Sequence, residues 1–276
     1  MIEDLQLQGY AWGTQEQYVR AVERLARYYH KSPDRITEAE LRAYFLQLTQ
    51  REHTRSTVKI ALCGIKFLFA VTLRRTWPTL TLVRPPKPQR LPVVLSVEEV
   101  RAILARVRVP VYRVCLQTIY SGGLRISEGV ALQVGDVDSA RMVLRVRGKG
   151  NKERQVPLAP ATLQALRAFW KLHRSRPWLF PQSLRPHARP QGPIEARNLR
   201  RAFGVARRRS GVTKAATVHT LRHSYATHLL EAGVQLLLIQ EILGHRSPRT
   251  TVRYTHLTDT VRAQVAAPIQ ELARAL

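Results

Sequence analysis

A proline-rich stretch limits the folds open to this chain more than any other feature of the sequence. Residues 84–92 read R-P-P-K-P-Q-R-L-P and hold four prolines in nine positions. Proline lacks a backbone N–H and has a fixed φ, so neither a helix nor a central strand runs through such a segment. We therefore predict an extended linker at 84–93, between a first domain at 1–83 and a second domain at 94–276.

The first domain has the apolar periodicity of helices throughout. One helix is predicted from Thr14 to about Tyr28, with little sequence before it. Thr37 and Glu40 have capping-box spacing and predict the start of a second helix. A third is predicted from Arg55 to Leu73, because apolar residues recur along one stripe of that segment.

The second domain is also mostly helical in pattern, with one exception. Residues 142–158 predict two short strands around a Gly-Lys-Gly-Asn-Lys turn. We therefore expect a mainly α fold with a small antiparallel β-sheet. The terminal run 261–276 is expected to pack on its own domain or on a neighbour. Helices are predicted at Ser96–Arg106, Tyr112–Tyr120, Leu124–Leu132, Ala161–His173 and Asn198–Arg209.

Residues that end or start helices divide the segment 218–254 into three predicted short helices. Gly233 and Gly244 each follow an apolar-periodic run, where a helix C-terminal glycine is expected. Ser247 and Pro248 then match an N-cap and a first helical position. This division places four polar side chains, His219, Arg222, His245 and Tyr254, on short helices and one connecting loop.

These side chains have the chemistry needed to act on a phosphodiester. His219 and Arg222 are three residues apart and share a helix face. A guanidinium offers a planar fork to phosphate oxygens, and an activated tyrosine oxygen can attack phosphorus. Arg125 and Glu128 have the same spacing, which fits either a surface ion pair or an arginine that its glutamate steers toward a ligand.

The net charge of +26 indicates a polyanionic partner. The first 84 residues carry 13 basic and 8 acidic residues, whereas the rest of the chain carries 32 and 11. Most of the excess charge therefore lies in the second domain. The candidate contacts to double-stranded DNA are Lys59, Lys66, Arg74, Arg75, Arg200, Arg201, Arg207 and Arg208.

Several classes of protein do not fit the sequence. No apolar run is long enough for a membrane span, and the first residues lack the pattern of a signal peptide, so we expect an intracellular protein. Neither Gly-rich nucleotide loop occurs. His219 and His223 have zinc-ligand spacing, but Thr220 stands where a zinc hydrolase has glutamate, so we expect no metal and no cofactor.

Six residues in order resemble the tyrosine recombinases, the family of phage integrases and Xer-type and integron-type enzymes. The motifs are G-G-L-R-I-S-E, G-K-G-N-K-E-R-Q-V-P-L, H-T-L-R-H-S-Y-A-T-H-L-L and L-G-H, followed nine residues later by tyrosine. The resemblance covers the second domain, and the first resembles the helical, SAM-like core-binding domain of the family. The matching positions are Arg125, Lys149, His219, Arg222, His245 and Tyr254.

The resemblance implies a site-specific recombinase that needs neither metal nor ATP. Tyr254 would attack the phosphate, form a 3′-phosphotyrosyl bond and release a 5′-hydroxyl. Arg125 and Arg222 would clamp the phosphate oxygens, and Lys149 would protonate the departing 5′-oxygen. Joining would reverse these steps with another 5′-hydroxyl.

The remaining implications concern support and assembly. His219 and His245 would hydrogen-bond the phosphate and help to move protons, with Glu128 supporting the cations. The family also implies a homotetramer on two DNA sites, with exchange of the C-terminal helix between subunits, in the cytoplasm and nucleoid of a bacterium. A mobile-element origin is consistent with this resemblance.

Three other readings compete with a recombinase. A catalytically silent DNA-binding protein on the same scaffold fits the charge equally well, but it has no need of Tyr254. A type IB topoisomerase would use the same chemistry as a monomer. A zinc protein is the most distant alternative.

Overall fold

The computed structural model describes residues 1–50, 55–83, 93–148, 153–184, 192–244 and 259–276. Within these ranges the fold is mainly helical with one three-stranded antiparallel sheet, which confirms the predicted fold class. The chain divides into two compact units, Met1–Arg90 and Leu91–Leu276. None of the described helices has both the length and the apolar character needed to cross a bilayer.

The first unit is a small helical bundle around one apolar core. Gly64 allows its second and fourth helices to pack closely, because a Cβ there would lie 2.9 Å from Tyr18 Cα. Leu25, Leu41 and Phe69 are buried in this core. The helices are α1 (Ile2–Leu7), α2 (Trp12–Tyr29), α3 (Glu38–Gln50), α4 (Arg55–Phe67) and α5 (Thr79–Leu82).

The boundaries in this unit differ from the predicted ones in three places. Helix α1 was not predicted, and it forms before α2. Helix α2 begins two residues before Thr14, since Ala11 takes the N-cap position with extended backbone. The helix predicted to reach Leu73 changes to a π-helical turn at Leu68–Thr72. The capping box of Thr37 and Glu40 is confirmed.

The second unit holds eight α-helices and the sheet within the residues described. Most predicted helices are present with ends shifted by one or two residues, and the capping box that starts α6 at Ser96 is confirmed. The helices are α6 (Val97–Ala105), α7 (Pro110–Ser121), α8 (Ile126–Val130), α9 (Pro160–His173), α10 (Ala196–Arg209), α11 (Val218–Glu231), α12 (Leu236–Leu243) and α13 (Asp259–Arg274).

The predicted strand pair forms β2 (Val143–Arg147) and β3 (Glu153–Pro157), which are antiparallel. Their register pairs Val143 with Pro157 and Arg147 with Glu153. Strand β1 (Val137–Asp138) pairs with the other side of β2 and was not predicted, because two residues carry no detectable alternation. The last four residues of the predicted turn, 149–152, lie outside the described part of the chain.

The helix predicted at Leu124–Leu132 is shorter than expected. Gly123 adopts a positive φ of 57°, and the chain closes the end of α7 before helix α8 starts. Arg125 is therefore not a helical residue but the N-cap of α8, with extended backbone. This change matters because it places the backbone N–H of Arg125 within reach of the carboxylate three residues later.

Helix α11 also anchors the start of the second unit. Ser224 Oγ accepts a hydrogen bond from the backbone N of Leu95 at 2.9 Å. His228 Nε2 lies 2.9 Å from the carbonyl oxygen of Leu95, and its Nδ1 lies 2.8 Å from the Tyr120 hydroxyl. The carbonyl can only accept, so Nε2 carries a proton and donates it to the Leu95 oxygen. His228 is thus a buried packing residue of the second unit.

Helix α13 packs on its own unit in this chain. Val265, Ile269 and Leu272 are buried in the core that the other helices of the unit share. This agrees with the first of the two packing modes expected for the terminal run. The helix continues through Pro268, whose ring removes one backbone donor.

Candidate active site

The candidate active site is centred on one buried carboxylate, that of Glu128. It accepts hydrogen bonds from the backbone N of Arg125 at 2.8 Å and from Arg125 Nη1 at 2.7 Å. Arg154 donates two more, from Nη1 at 2.9 Å and Nη2 at 2.8 Å, in a bidentate fork. Arg222 Nη1 lies 3.8 Å from the same carboxylate. Three guanidinium groups therefore share a single negative charge.

The end of helix α12 provides a second anchor for the same three arginines. Its last carbonyl groups have no partner within the helix and carry the negative end of the helix dipole. Arg154 Nε donates to the Ile242 oxygen at 2.8 Å, and Arg222 Nη2 donates to the Leu243 oxygen at 2.6 Å. Arg125 Nη2 donates to the Gly244 oxygen at 3.3 Å. Three consecutive carbonyls thus each hold one arginine.

Burial and charge act on the pKa values of this cluster in opposite directions. Burial favours the neutral form of Glu128, but the hydrogen bonds from Arg154 and Arg125 outweigh it and hold the pKa at about 2. Burial, together with the nearby charge of Arg125, lowers the pKa of Arg222 to about 10, and Glu128 opposes that shift. At neutral pH both Glu128 and Arg222 are therefore charged.

The arginines differ in their access to solvent. The side chain of Arg125 is 37% exposed, whereas that of Arg222 is 2% exposed and donates to the Gly123 oxygen at 2.8 Å. Among the described residues, Arg125 therefore keeps N–H groups without a protein partner at the surface, and the buried Arg222 adds to the positive potential there. An excess of fixed positive charge at a partly dehydrated surface suits a phosphate group.

His219 lies on the first turn of α11, on the exposed side of the helix that carries Arg222. Its ring centroid is 4.6 Å from that of His223, in an edge-to-face arrangement. Partial desolvation of the ring lowers the pKa of His219, and the charges of Arg222 and Arg125 add to the effect. His219 is therefore a neutral imidazole at pH 7, which can donate or accept a hydrogen bond beside the arginines.

Three of the six candidate catalytic residues, Lys149, His245 and Tyr254, lie outside the described residues. Gly148 and Gly244 are the described residues directly before Lys149 and His245. The structure therefore brings together Arg125, Arg222, Glu128 and His219, and the placement of the other three stays a prediction.

Sequence reasoning missed Arg154. It stands within the motif G-K-G-N-K-E-R-Q-V-P-L, and the alternation of the predicted strand includes it. Its side chain is 13% exposed and the three nitrogens of its guanidinium are all engaged. The only signal in the sequence was a basic residue between polar neighbours, which is also what a solvated strand position shows.

The candidate DNA contacts are mostly exposed cations. In the first unit, Arg75 Nη1 donates to the Asp34 oxygen at 2.7 Å. In the second unit, Arg207 is half-buried and donates to the Lys214 oxygen at 2.7 Å. A cavity of about 350 Å³ beside α10 is lined by four arginines, Arg106, Arg108, Arg201 and Arg209. The exposed candidates are Lys59, Lys66, Arg74, Arg75, Arg200, Arg201 and Arg208.

Two protein-family models match this chain, one in each of its two compact units. The model of the phage integrase family matches residues 94–260, and the model of the phage integrase N-terminal SAM-like domain matches residues 1–79. The chain belongs to the phage integrase family of tyrosine recombinases. The chain is therefore an enzyme of the site-specific recombinase class.

Individual relatives span most of this recombinase. A putative integrase/recombinase of Sinorhizobium fredii, y4qK, is 39% identical to this chain over 277 residues. The match covers 99% of this chain and 88% of y4qK. The tyrosine recombinase XerD of Rhizobium meliloti is 32% identical over 275 residues, covering 91% and 87%. A lambda integrase tetramer bound to a Holliday junction has the same fold, with a TM-score of 0.74, 18% identity and coverage of 92% and 77%.

Proposed function

We propose that this recombinase cuts and rejoins double-stranded DNA through a 3′-phosphotyrosyl intermediate with Tyr254 as nucleophile. The observation that carries the proposal is the cluster in which Arg125 and Arg222 are held by Glu128 and by the end of α12. Such fixed cations favour the negative charge that develops on a phosphoryl group under attack.

The proposed reaction conserves the energy of the bond that it breaks. The Tyr254 oxygen attacks phosphorus, the bond from phosphorus to the 5′-oxygen breaks, and Lys149 supplies the proton for the departing hydroxyl. A 5′-hydroxyl then attacks the phosphotyrosyl bond and returns the tyrosine. A positioned arginine can accelerate phosphoryl transfer by about 10³–10⁵-fold, so guanidinium groups can take the role that metal ions have in other enzymes.

The two histidines complete the proposed chemistry. A phenol with a pKa of about 10 needs a base or a strongly polarised target to become an effective nucleophile at neutral pH. The depressed pKa of His219 keeps its ring neutral and able to accept a proton. His245 follows Gly244 in sequence, and Gly244 already binds Arg125 through its carbonyl group.

The proposed domain roles follow the two compact units. Residues 1–83 would bind the core DNA site, residues 84–93 would link the domains, and residues 94–276 would carry out cleavage. The match of the SAM-like domain model to residues 1–79 supports the first of these roles. The exposed cations of α4 and α10 would contact the DNA backbone.

The proposed working assembly is a homotetramer on two DNA sites, with exchange of α13 between subunits. The likeness of fold to a lambda integrase tetramer on a Holliday junction supports it. In the single chain the apolar side of α13 is covered by its own unit, so exchange would replace this contact with an equivalent one. Sedimentation of the protein with paired sites should show four protomers on two duplexes; one protomer per duplex would contradict the assembly.

The chemical proposal is tested with nicked duplexes whose sequence has been selected from random DNA by binding to the protein. Incubation in EDTA should give a covalent protein–DNA adduct with the native chain and none with Tyr254→Phe. Tyr28→Phe, at an exposed tyrosine of the first unit, is the matched control and should form the adduct normally. Relaxation of supercoils by isolated protomers would instead favour the topoisomerase reading.

A further inference from the structure

Arg154 connects three elements of the catalytic unit. Its backbone belongs to β3, which pairs with β2 and follows the segment 148–152 that contains Lys149. Its two terminal nitrogens form a fork with Glu128 on α8, and its Nε binds the Ile242 oxygen at the end of α12. A planar guanidinium is the side-chain group that can make these bonds in three fixed directions.

The contact between Arg154 and the end of α12 is close enough to fix the backbone there. Gly244 has a positive φ of 63°, and a Cβ at this position would lie 3.0 Å from Arg154 Cδ. The carbonyl of the same glycine accepts the hydrogen bond from Arg125. A displacement of Arg154 would therefore move both anchors of Arg125, its carboxylate partner and its carbonyl partner.

We propose that Arg154 is a positioning residue for the cleavage step, which holds Arg125 and the backbone at Gly244 in the geometry that the scissile phosphate requires. The inference rests on the proposed function and adds to it a residue that the family motif does not assign. Arg154 acts through Glu128 and α12 and not on the phosphate itself, because each of its nitrogens already binds protein and its side chain is 13% exposed.

The test measures cleavage and binding separately for Arg154→Ala. Single-turnover cleavage of a nicked duplex should fall by about 100-fold, as expected when a reacting group is displaced by about 1 Å. The dissociation constant for the same duplex should change by less than about threefold, since the exposed cations that bind the backbone remain. The matched control is Arg147→Ala, at an exposed arginine on the partner strand β2 that pairs with Glu153; its cleavage rate should stay close to that of the native chain.

Chemical rescue separates positioning from a general loss of structure. Guanidinium chloride at low millimolar concentration should restore part of the cleavage rate of Arg154→Ala, because the free ion can occupy the space between Glu128 and the Ile242 oxygen. Methylammonium, which has a charge but no planar fork, should restore much less. Equal rescue by both ions, or a native cleavage rate in the variant, would overturn the proposal.

A second variant decides the outcome if Arg154→Ala does not fold. Arg154→Lys keeps a cation beside Glu128, but one ammonium group cannot form the fork and also reach α12. The proposal expects a folded protein with slow cleavage and native binding; a native cleavage rate in Arg154→Lys would overturn it. Failure of the proposed function is a different result, in which the native chain itself forms no adduct.

Discussion

Replacing Glu128 with glutamine should strongly destabilise the catalytic unit. The carboxylate accepts four hydrogen bonds, three of them from guanidinium groups, and its side chain is 2% exposed. The amide keeps one acceptor oxygen and places an NH₂ group against an arginine. Arg125, Arg154 and Arg222 would then lie together without a counter-charge.

The size of the effect follows from the same contacts by two routes. Loss of about two charge-assisted hydrogen bonds, at about 1.5–3 kcal/mol each, gives about 3–6 kcal/mol. The depression of the Glu128 pKa from 4.5 to about 2 corresponds to about 3 kcal/mol at about 1.4 kcal/mol per pKa unit. Both values agree with the roughly 3–5 kcal/mol that follows from removing one partner of a buried ion pair.

The assay is urea unfolding followed by circular dichroism, with pulsed hydrogen exchange to assign each transition to one of the two units. Glu153→Gln is the matched control, because Glu153 is 57% exposed and pairs with Arg147 at 3.1 Å. An exposed pair contributes about 0–1 kcal/mol, so this control should unfold almost as the native chain does. Equal unfolding midpoints for the two variants would refute the account of the arginine cluster.

Three further predictions follow from the same geometry and charge. The stability that Glu128 contributes should be present above pH 4.5 and be lost as the pH falls toward about 2. The free energies of unfolding of the native chain and of Glu128→Gln, measured by urea titration, should therefore converge in acid. A difference between them that stays constant with pH would contradict this. Gly244→Ala should lower stability by more than Gly233→Ala. Both glycines have a positive φ, which costs alanine about 1–2 kcal/mol, but of the two only Gly244 would also bring its new Cβ against Arg154. Equal melting temperatures of the two variants would argue against the close contact. If the guanidinium of Arg201 contacts one phosphate, Arg201→Gln should reduce the magnitude of the slope of log affinity against log salt concentration by about 0.9. An unchanged slope in filter binding would show that Arg201 is not part of the DNA interface.

Most of the fold could be predicted because the signals are local. Capping boxes at Thr37 and Ser96 and glycines after apolar runs mark helix ends, and both depend on residues a few positions apart. Strand β1 and helix α1 were missed because each is too short to show a period. The late start of α8 was missed because it depends on the left-handed backbone of Gly123, which the residue pattern alone does not distinguish from an ordinary helix start.

The candidate site could be predicted only as far as its individual residues. Motif spacing identified Arg125, Glu128, His219 and Arg222, which the structure brings together. The role of Arg154 was missed because it arises from three elements that meet in space, including carbonyl groups of α12 that any sequence would provide. Backbone groups have no sequence signature, so an anchor of this kind is visible only in the fold.

The most direct measurement is to identify the amino acid that is covalently joined to DNA. The adduct trapped on a nicked duplex in EDTA would be digested with protease and nuclease, and the modified peptide would be sequenced by mass spectrometry. The account predicts a nucleotide attached through its 3′-phosphate to the oxygen of Tyr254 and to no other residue. A modification on another side chain, or a cleaved duplex without any covalent peptide, would contradict it.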